Sequence, residues 1–559
     1  IELGEIETVL TQHPEVHQAV VVAREDLRGD RILAAYIVPK RKPAPTNNVL
    51  RHFLQARLPD YMLPSAFAIL KSLPLTPNGK INRHALPAPE RVSPEIAYVA
   101  PRSPVEQQLV EIWAKVVGLE RVGIHDNFFE LGGHSLLLTQ LLVQVRDTFQ
   151  VDLSLGNLFA APTILKLAER IEAVQTRSCT SNEDFVALSA EAVLEPKIHP
   201  DTTNFAFPGS EKSIFLTGAT GFLGAFLLYE LLQQTTANIY CLVRQGKQQL
   251  QTNLESYLLW DDSFGDRIIP VIGDLSQPLL GLGEAQFCDI ASRIDVIYHN
   301  GAWVHHTLPY STLKAANVLG TQEILRLASQ TKLKPVHFIS TTSVFGSSGN
   351  AGIKVVREGD SLDNSQVSAN GYAQSKWVAE KLIDIARDRG IPISVYRSGR
   401  ISGHSQTGVF NLNDFLYKLI VGCVQLGSAP AGGASFDLAP VDYVSKAIVY
   451  LSKQKASLNQ TFHVVNPQPL HSNLLIDTMR SLGYPIQQIS YDKWRTELLN
   501  IARHSPEHAL YPLVPFFPAS ESQTQTTSGE LKFDCQNTLD GLAGTSIICP
   551  PIDNKLLHT

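Results

Sequence analysis

Apolar residues recur at i, i+3, i+4 spacing through 106–117, 135–149 and 164–173, a period that predicts three amphipathic helices. From residue 211 onward the pattern changes. Short β-rich runs at 214–217, 239–243, 268–272, 296–298, 336–339 and 393–396 alternate with helical stretches, and a run at 462–466 returns as a strand. Strands of that length separated by helices predict βαβ units around a parallel sheet. The first 86 residues mix helices at 2–11 and 48–57 with strands at 19–23 and 32–38. Two stretches break the periodicity. The proline-rich run from Leu86 to Pro104 resists helix and ladder pairing, and 177–210 is polar without a clear period, so both are expected as linkers. The chain therefore divides at 1–88, 99–176, 177–210 and 211–559, with a looser, insertion-built subdomain expected beyond Arg400.

Composition narrows the reading. A chain of 559 residues needs several cores, and 44% hydrophobic content excludes the disordered class. Lys+Arg of 47 against Asp+Glu of 53 leaves a net charge of −6 with no basic stripe, so nucleic acid is not expected as a partner. The richest apolar stretch, 136–145, is broken by Thr139, Gln140 and Gln144, so no membrane span is expected. Six scattered cysteines without a CxxC pair predict reduced thiols and a cytoplasmic setting. The opening at Ile1 rather than Met predicts a piece of a longer polypeptide.

The chemistry concentrates after residue 211. The strand 212–217 runs into Thr217-Gly218-Ala219-Thr220-Gly221-Phe222-Leu223-Gly224 and then a helix. In a GxxGxxG turn of this kind the first glycine makes the bend, the second lets backbone approach a pyrophosphate, and the third lets helix pack on strand. The next strand ends in Arg244, with no acidic residue before Glu255. An acid there would bind a ribose 2′-hydroxyl and an arginine suits a 2′-phosphate, which selects NADPH. Asp274-Leu275 and Asn300-Gly301 follow the third and fourth strands and are expected along the cofactor.

Tyr372 and Lys376 stand four apart, which stacks them on one helix face. An ammonium beside a phenol is expected to lower the phenol's pKa. Upstream, Ser340-Thr341-Thr342-Ser343 gathers hydroxyls at a strand end. His299, His305 and His306 lack a carboxylate or cysteine spaced to complete a metal site, and read as loop or pocket-lining side chains. In the middle segment, Gly132-Gly133-His134-Ser135 sets a serine at a helix N-terminus, either as an ordinary N-cap or as a seat for a phosphate. Near the start, Asn78-Gly79 is a tight-turn signal that holds Lys80 on a surface loop.

These motifs resemble known families. Ile1-Glu2-Leu3-Gly4-Glu5-Ile6-Glu7 and Leu75-Thr76-Pro77-Asn78-Gly79-Lys80 resemble the C-terminal subdomain of nonribosomal peptide synthetase adenylation domains, a small α+β unit. The resemblance gives Lys80 contacts to the acyl carboxylate and ATP phosphates; the larger subdomain is absent here, so this chain is not expected to adenylate. Asp126 to Leu136 resembles a four-helix peptidyl carrier domain, in which Ser135 carries 4′-phosphopantetheine. The remainder resembles the extended short-chain dehydrogenase/reductase family, an α/β Rossmann fold with a smaller substrate subdomain. Counting back from Gly346, that resemblance makes Thr341 the catalytic hydroxyl beside Tyr372 and Lys376, with Thr342 and Ser343 structural.

The order implies the end of a peptide synthetase with a terminal thioester reductase. Its carrier would swing a peptidyl thioester into the reductase, NADPH would reduce it, and the thiohemiacetal would collapse to an aldehyde, or on to an alcohol. Implied partners are a phosphopantetheinyl transferase and the upstream condensation and adenylation domains. An epimerase-type chemistry, a redox-silent cyclising release domain and a docking scaffold without turnover are the alternatives. Arg244 argues against the first, and the intact Tyr372 and Lys376 against the second.

Overall fold

The computed structural model describes residues 3–25, 31–41, 44–46, 49–50, 53–54, 64, 66–74, 81–87, 98–119, 121–128, 131, 133, 135–149, 151, 158, 161–176, 188–200, 202, 204–205, 209, 211–305, 308–346, 355–364, 370–432, 435–505, 508–517 and 531–559. They fall into two compact units, Ile1–Ser178 and Cys179–Thr559.

The first unit holds two cores. In one, the helix Leu3–Thr11 packs on a three-stranded sheet of Val16–Glu25, Arg31–Pro39 and Ala66–Ile69, the first pair antiparallel and the second parallel. Alternate residues split between its faces: Val21 and Ile37 face the helix's Ile6 and Leu10, and Val20 and Tyr36 line the other side with Leu73 and Leu86. The helix expected at 48–57 and the Lys80 loop lie largely or wholly outside the described residues. The other core gathers Pro104–Val117, Ser135–Phe149 and Ile164–Thr176 around Trp113, Phe128, Leu141 and Leu167. Ser103 caps the first of these helices, accepting from the Glu106 N–H at 3.1 Å, and Gly118 closes it at φ 67°.

The second unit is built on seven parallel strands, β1 (Ser213–Thr217), β2 (Asn238–Val243), β3 (Ile268–Ile272), β4 (Val296–His299), β5 (Val336–Thr341), β6 (Ile393–Ser398) and β7 (Thr461–Val464). Their spatial order is β7-β6-β5-β4-β1-β2-β3. Strands run outward from β1 in both directions, which makes the β1/β4 boundary a switch point where ligands bind beyond the strand ends. Both faces are covered, so the strands are near-continuous apolar runs: Phe215 and Ile297 belong to one core, Ile214, Leu216, Val296 and Tyr298 to the other. Beyond Arg400, Phe415–Leu426, Ser472–Ser481 and Tyr491–His504 form a smaller cluster around Trp494, Leu498 and Leu510.

Within the stretch 177–210, the described residues Leu188–Ile198 depart from the linker expectation. Leu188, Leu194 and Ile198 are buried in the second unit's core. Arg389 donates to the carbonyls of Glu195 (2.6 Å), Ile198 (2.9 Å) and Leu194 (2.9 Å), and Arg326 pairs with Glu195 at 2.8 Å. The segment needs no period of its own because a distant arginine satisfies its backbone.

Candidate active site

The glycine turn is shaped by close packing. Gly218 sits at φ +73°, and a Cβ there would lie 2.7 Å from Gly301 Cα. A Cβ on Gly224 would strike the Gly218 carbonyl, so the third glycine is the price of bringing helix α1 (Phe222–Gln234) onto β1. Gly221 is the N-cap of α1, without a side-chain cap, and is exposed. Phe222 turns its ring onto Phe226 and Tyr257, and Leu223 is buried, so what these residues offer outward is backbone N–H. An uncapped, exposed helix N-terminus behind a turn that no Cβ could fill fits a pyrophosphate.

The other expected cofactor residues gather at the same strand ends. Thr217 Oγ1 accepts from the Gly301 N–H at 2.8 Å, and the Asn300 side-chain amide donates to the Gly218 carbonyl at 3.3 Å. Leu275 packs where a Gly301 Cβ would sit, 2.6 Å from its Cδ1. Asp274 folds its own loop, with Oδ1 accepting from both the N–H and the hydroxyl of Ser276 at 2.8 Å. Arg244 is exposed beyond β2. Lys247, the next cation along the chain, donates to the Gly265 carbonyl at 2.5 Å.

Tyr372 and Lys376 stand in the first turns of α3, numbered after α2 (Gly320–Ser329); α3 spans Gly371–Asp388. Asn370 caps it, accepting from the Tyr372 N–H at 2.8 Å. Gly371 is required because a Cβ would lie 2.6 Å from the Tyr310 nitrogen. Lys376 Nζ donates to the Ile339 carbonyl on β5 at 2.8 Å and lies 4.0 Å from the Phe338 ring centroid. That tether fixes the helix carrying Tyr372 to the strand that ends in Thr341. The Thr341 hydroxyl caps the turn Thr342–Phe345, accepting from the Ser343 N–H and meeting Ser343 Oγ, both at 3.2 Å.

The expected lowering of the tyrosine pKa is not found. Burial pushes the Tyr372 phenol up to about 12 and the Lys376 amine down to about 7. Desolvation is the one cause acting on the phenol, which stays protonated through the neutral range.

His299 was expected on a loop or lining a pocket and is instead the buried last residue of β4, while Asn317 and Ser375 went unread. His299 is buried between Thr217 Oγ1 at 2.9 Å and Thr321 Oγ1 at 3.0 Å. Asn317 lies in the π-helical turn Ala315–Leu319, where it donates to Ser375 Oγ at 2.9 Å and to the Trp303 carbonyl at 3.1 Å. Ser375 in turn donates to the Tyr372 carbonyl at 2.7 Å. A break in helical period around Asn317 was the available signal. His306 lies outside the described residues, and among those described no group of three or more His, Cys, Asp or Glu side chains could hold a metal.

Burial pushes His299 down to about 3. Its imidazole is expected to stay neutral from pH 8 to 5, read by NMR of ring-labelled histidine; a midpoint near 6.5 would show the cluster open to water. The depressed folded value also fixes a sign. Between about pH 6.5 and 3 the unfolded chain takes up a proton that folded His299 declines, so this group lowers stability as pH falls through that window.

Comparison with known proteins agrees with this layout. The AMP-binding enzyme C-terminal domain matches residues 5–80, the phosphopantetheine attachment site 107–171, and the NAD-binding family described as male sterility protein 216–448. A linear gramicidin synthase from Brevibacillus parabrevis is 44% identical over 568 residues, covering 100% of this chain and 11% of that protein. The L-2-aminoadipate reductase large subunit of Penicillium chrysogenum is 32% identical over 95% of the chain and 43% of its own length. The chain thus spans less than half of either relative. Among solved structures, the terminal R domain from the myxalamid PKS-NRPS pathway is 44% identical, covers 67% of this chain and 96% of its own, and superposes with a TM-score of 0.63. A thiolation-reductase di-domain from an archaeal nonribosomal peptide synthetase, 24% identical, covers 83% of the chain and 97% of its own with a TM-score of 0.64, and shares the fold. No helix among the described residues is long and apolar enough to cross a membrane. From these matches, the myxalamid domain above all, the chain belongs to the family of terminal reductase domains of nonribosomal peptide synthetases.

Proposed function

We propose that this chain releases an acyl or peptidyl group from its own carrier domain as an aldehyde, with NADPH as reductant. The observation that carries the reading is the convergence at neighbouring strand ends of the glycine turn after β1, Asn300-Gly301 after β4 and Thr341 on β5, with Lys376 tethering the Tyr372 helix to that same strand. The boundaries that fit are 1–88 for the end of an adenylation domain, 99–176 for the carrier, and a reductase that begins near Leu188.

The α1 N-terminus from Gly221 to Gly224 holds the pyrophosphate, and Arg244 the 2′-phosphate. NADPH, when bound, would supply the hydride that reduces the thioester carbonyl, and the arm's thiol would leave as the thiohemiacetal collapses to the aldehyde. Tyr372, protonated, donates to the developing oxyanion, assisted by the Thr341 hydroxyl, and Lys376 holds the ribose and orients Tyr372. A phosphopantetheinyl transferase loads Ser135, upstream synthetase domains supply the peptide, and the setting is a reducing, cytoplasmic one. Reduction to an alcohol repeats the same chemistry on the aldehyde.

The test is NADPH oxidation with an acyl-pantetheine thioester, with mass spectrometry of the product. Aldehyde or alcohol formed in step with NADPH consumption is expected; a cyclised product without NADPH consumption, or no product, refutes the reading. Arg244→Ala is expected to raise the KM for NADPH by about one to two decades, the worth of one charge-assisted contact, and to leave NADH nearly unchanged. Equal losses for both cofactors would remove the 2′-phosphate from Arg244.

A further inference from the structure

One turn beyond Lys376 on α3, Glu380 is 3% exposed and pairs with Arg397 of β6, 6% exposed, at 2.9 Å. The guanidinium forks onto one carboxylate oxygen: Arg397 Nε also donates to Glu380 Oε2 at 3.0 Å, and reaches Oε1 at 3.3 Å. The other carboxylate oxygen accepts from the Ser340 hydroxyl, on the residue just before Thr341. The guanidinium lies 4.7 Å from the ring centroid of Phe345, in the turn just after Thr341. The pair therefore touches the chain on both sides of Thr341 and the helix that carries Tyr372 and Lys376.

Its far side reaches the C-terminal segment. Arg397 Nη1 donates to the Glu358 carbonyl at 3.4 Å. The Glu358 carboxylate accepts from the His463 N–H at 2.8 Å, the Asn537 N–H at 2.6 Å and the Thr538 N–H at 3.2 Å, the last two in the first turn of α4 (Gln536–Gly541). A sealed ion pair is weak as a stabiliser, because its desolvation cost rivals its attraction and apolar residues of the same volume hold a core as well. What a fork of fixed length supplies instead is a fixed distance between the elements it joins.

We propose that Glu380 and Arg397 are positioning residues, a buried clamp that sets the Thr341 hydroxyl against Tyr372 and Lys376. The inference rests on the thioester-reductase reading above. The clamp acts through Ser340 and Phe345 and touches neither substrate nor cofactor.

The test compares steady-state thioester reduction in the full chain and its variants, with acyl-pantetheine thioester and NADPH each varied in turn, well below every melting temperature. Glu380→Gln keeps the shape and loosens the fork; kcat is expected to fall about tenfold or more, as misplacement of a reacting group by a fraction of an ångström does, with KM for thioester and NADPH unchanged. Ser340→Ala leaves the ion pair in place and is expected to lower kcat at least threefold, with a melting temperature no lower than that of Lys334→Met. Lys334→Met is the matched control. That buried lysine donates to three carbonyls (Leu327, Gln330 and Lys332) before the start of β5, so its loss costs stability away from the site. It is expected to melt earlier yet keep kcat. A Ser340→Ala kcat within twofold of wild type overturns the clamp whether or not Glu380→Gln folds, as does a Lys334→Met loss of kcat equal to that of Glu380→Gln. An unaltered chain that fails to reduce the thioester overturns the function itself, and the clamp with it.

Discussion

Tyr372→Phe is expected to cut aldehyde release by about 10²–10³, the usual cost of one oxyanion donor, while NADPH binding and melting temperature stay near wild type. The ring keeps its place on α3, which Asn370 and Gly371 hold independently of the phenol hydroxyl. The protonated phenol is what the substitution removes: with burial holding its pKa at about 12, Tyr372 has its proton throughout the neutral range. Thr341→Val tests the second donor, with a complication visible in the fold. The hydroxyl also caps the Thr342–Phe345 turn, so the variant loses stability as well as a donor, a cap being worth about 0.5–2 kcal/mol. Thr341→Ser keeps the hydroxyl and should restore both. Thr342→Val lies one residue further on and is expected to turn over like wild type. A dead Thr342→Val beside an active Thr341→Val would move the catalytic hydroxyl by one residue.

Much of this was legible because it rests on local chain geometry. The glycine turn, the alternation of strand and helix, and the four-residue spacing of Tyr372 and Lys376 are patterns of period and backbone freedom, which a sequence carries openly. All six strand positions expected from 214 to 396 have counterparts in the sheet, and the run at 462–466 closes it as β7. What stayed hidden depends on partners far along the chain. The segment Leu188–Ile198 looked structureless because Arg389 supplies its hydrogen bonds. Glu380 and Arg397 are ordinary charges until folding brings β6 beside α3, and Glu358 finds its donors some 180 residues away, at Asn537 and Thr538. The tyrosine pKa was misjudged for a related reason: a neighbouring charge is readable from spacing, whereas burial is a property of the assembled core.

Ser135→Ala is expected to abolish attachment of the phosphopantetheine arm, seen as the loss of one mass increment after incubation with coenzyme A and a transferase. The serine begins the helix Ser135–Phe149, and upstream of it Phe128 and Gly133 are tied down. Phe128, buried and edge-on to Trp113, donates its N–H to the Pro162 carbonyl at 2.8 Å and accepts from the Gly133 N–H at 2.9 Å. A Cβ on Gly133 would collide with the Phe128 ring, so the turn before Ser135 tolerates no side chain there. Gly133→Ala is therefore expected to slow loading sharply although the serine remains. The decisive comparison uses two substrates. The unloaded Ser135→Ala chain should release nothing from a carrier-bound peptide, yet reduce a free acyl-pantetheine thioester at the wild-type rate, since Tyr372, Thr341 and Lys376 belong to the other compact unit. Loss of both activities would mean that the serine supports the reductase directly, and undiminished labelling of the alanine variant would place the arm on a different residue.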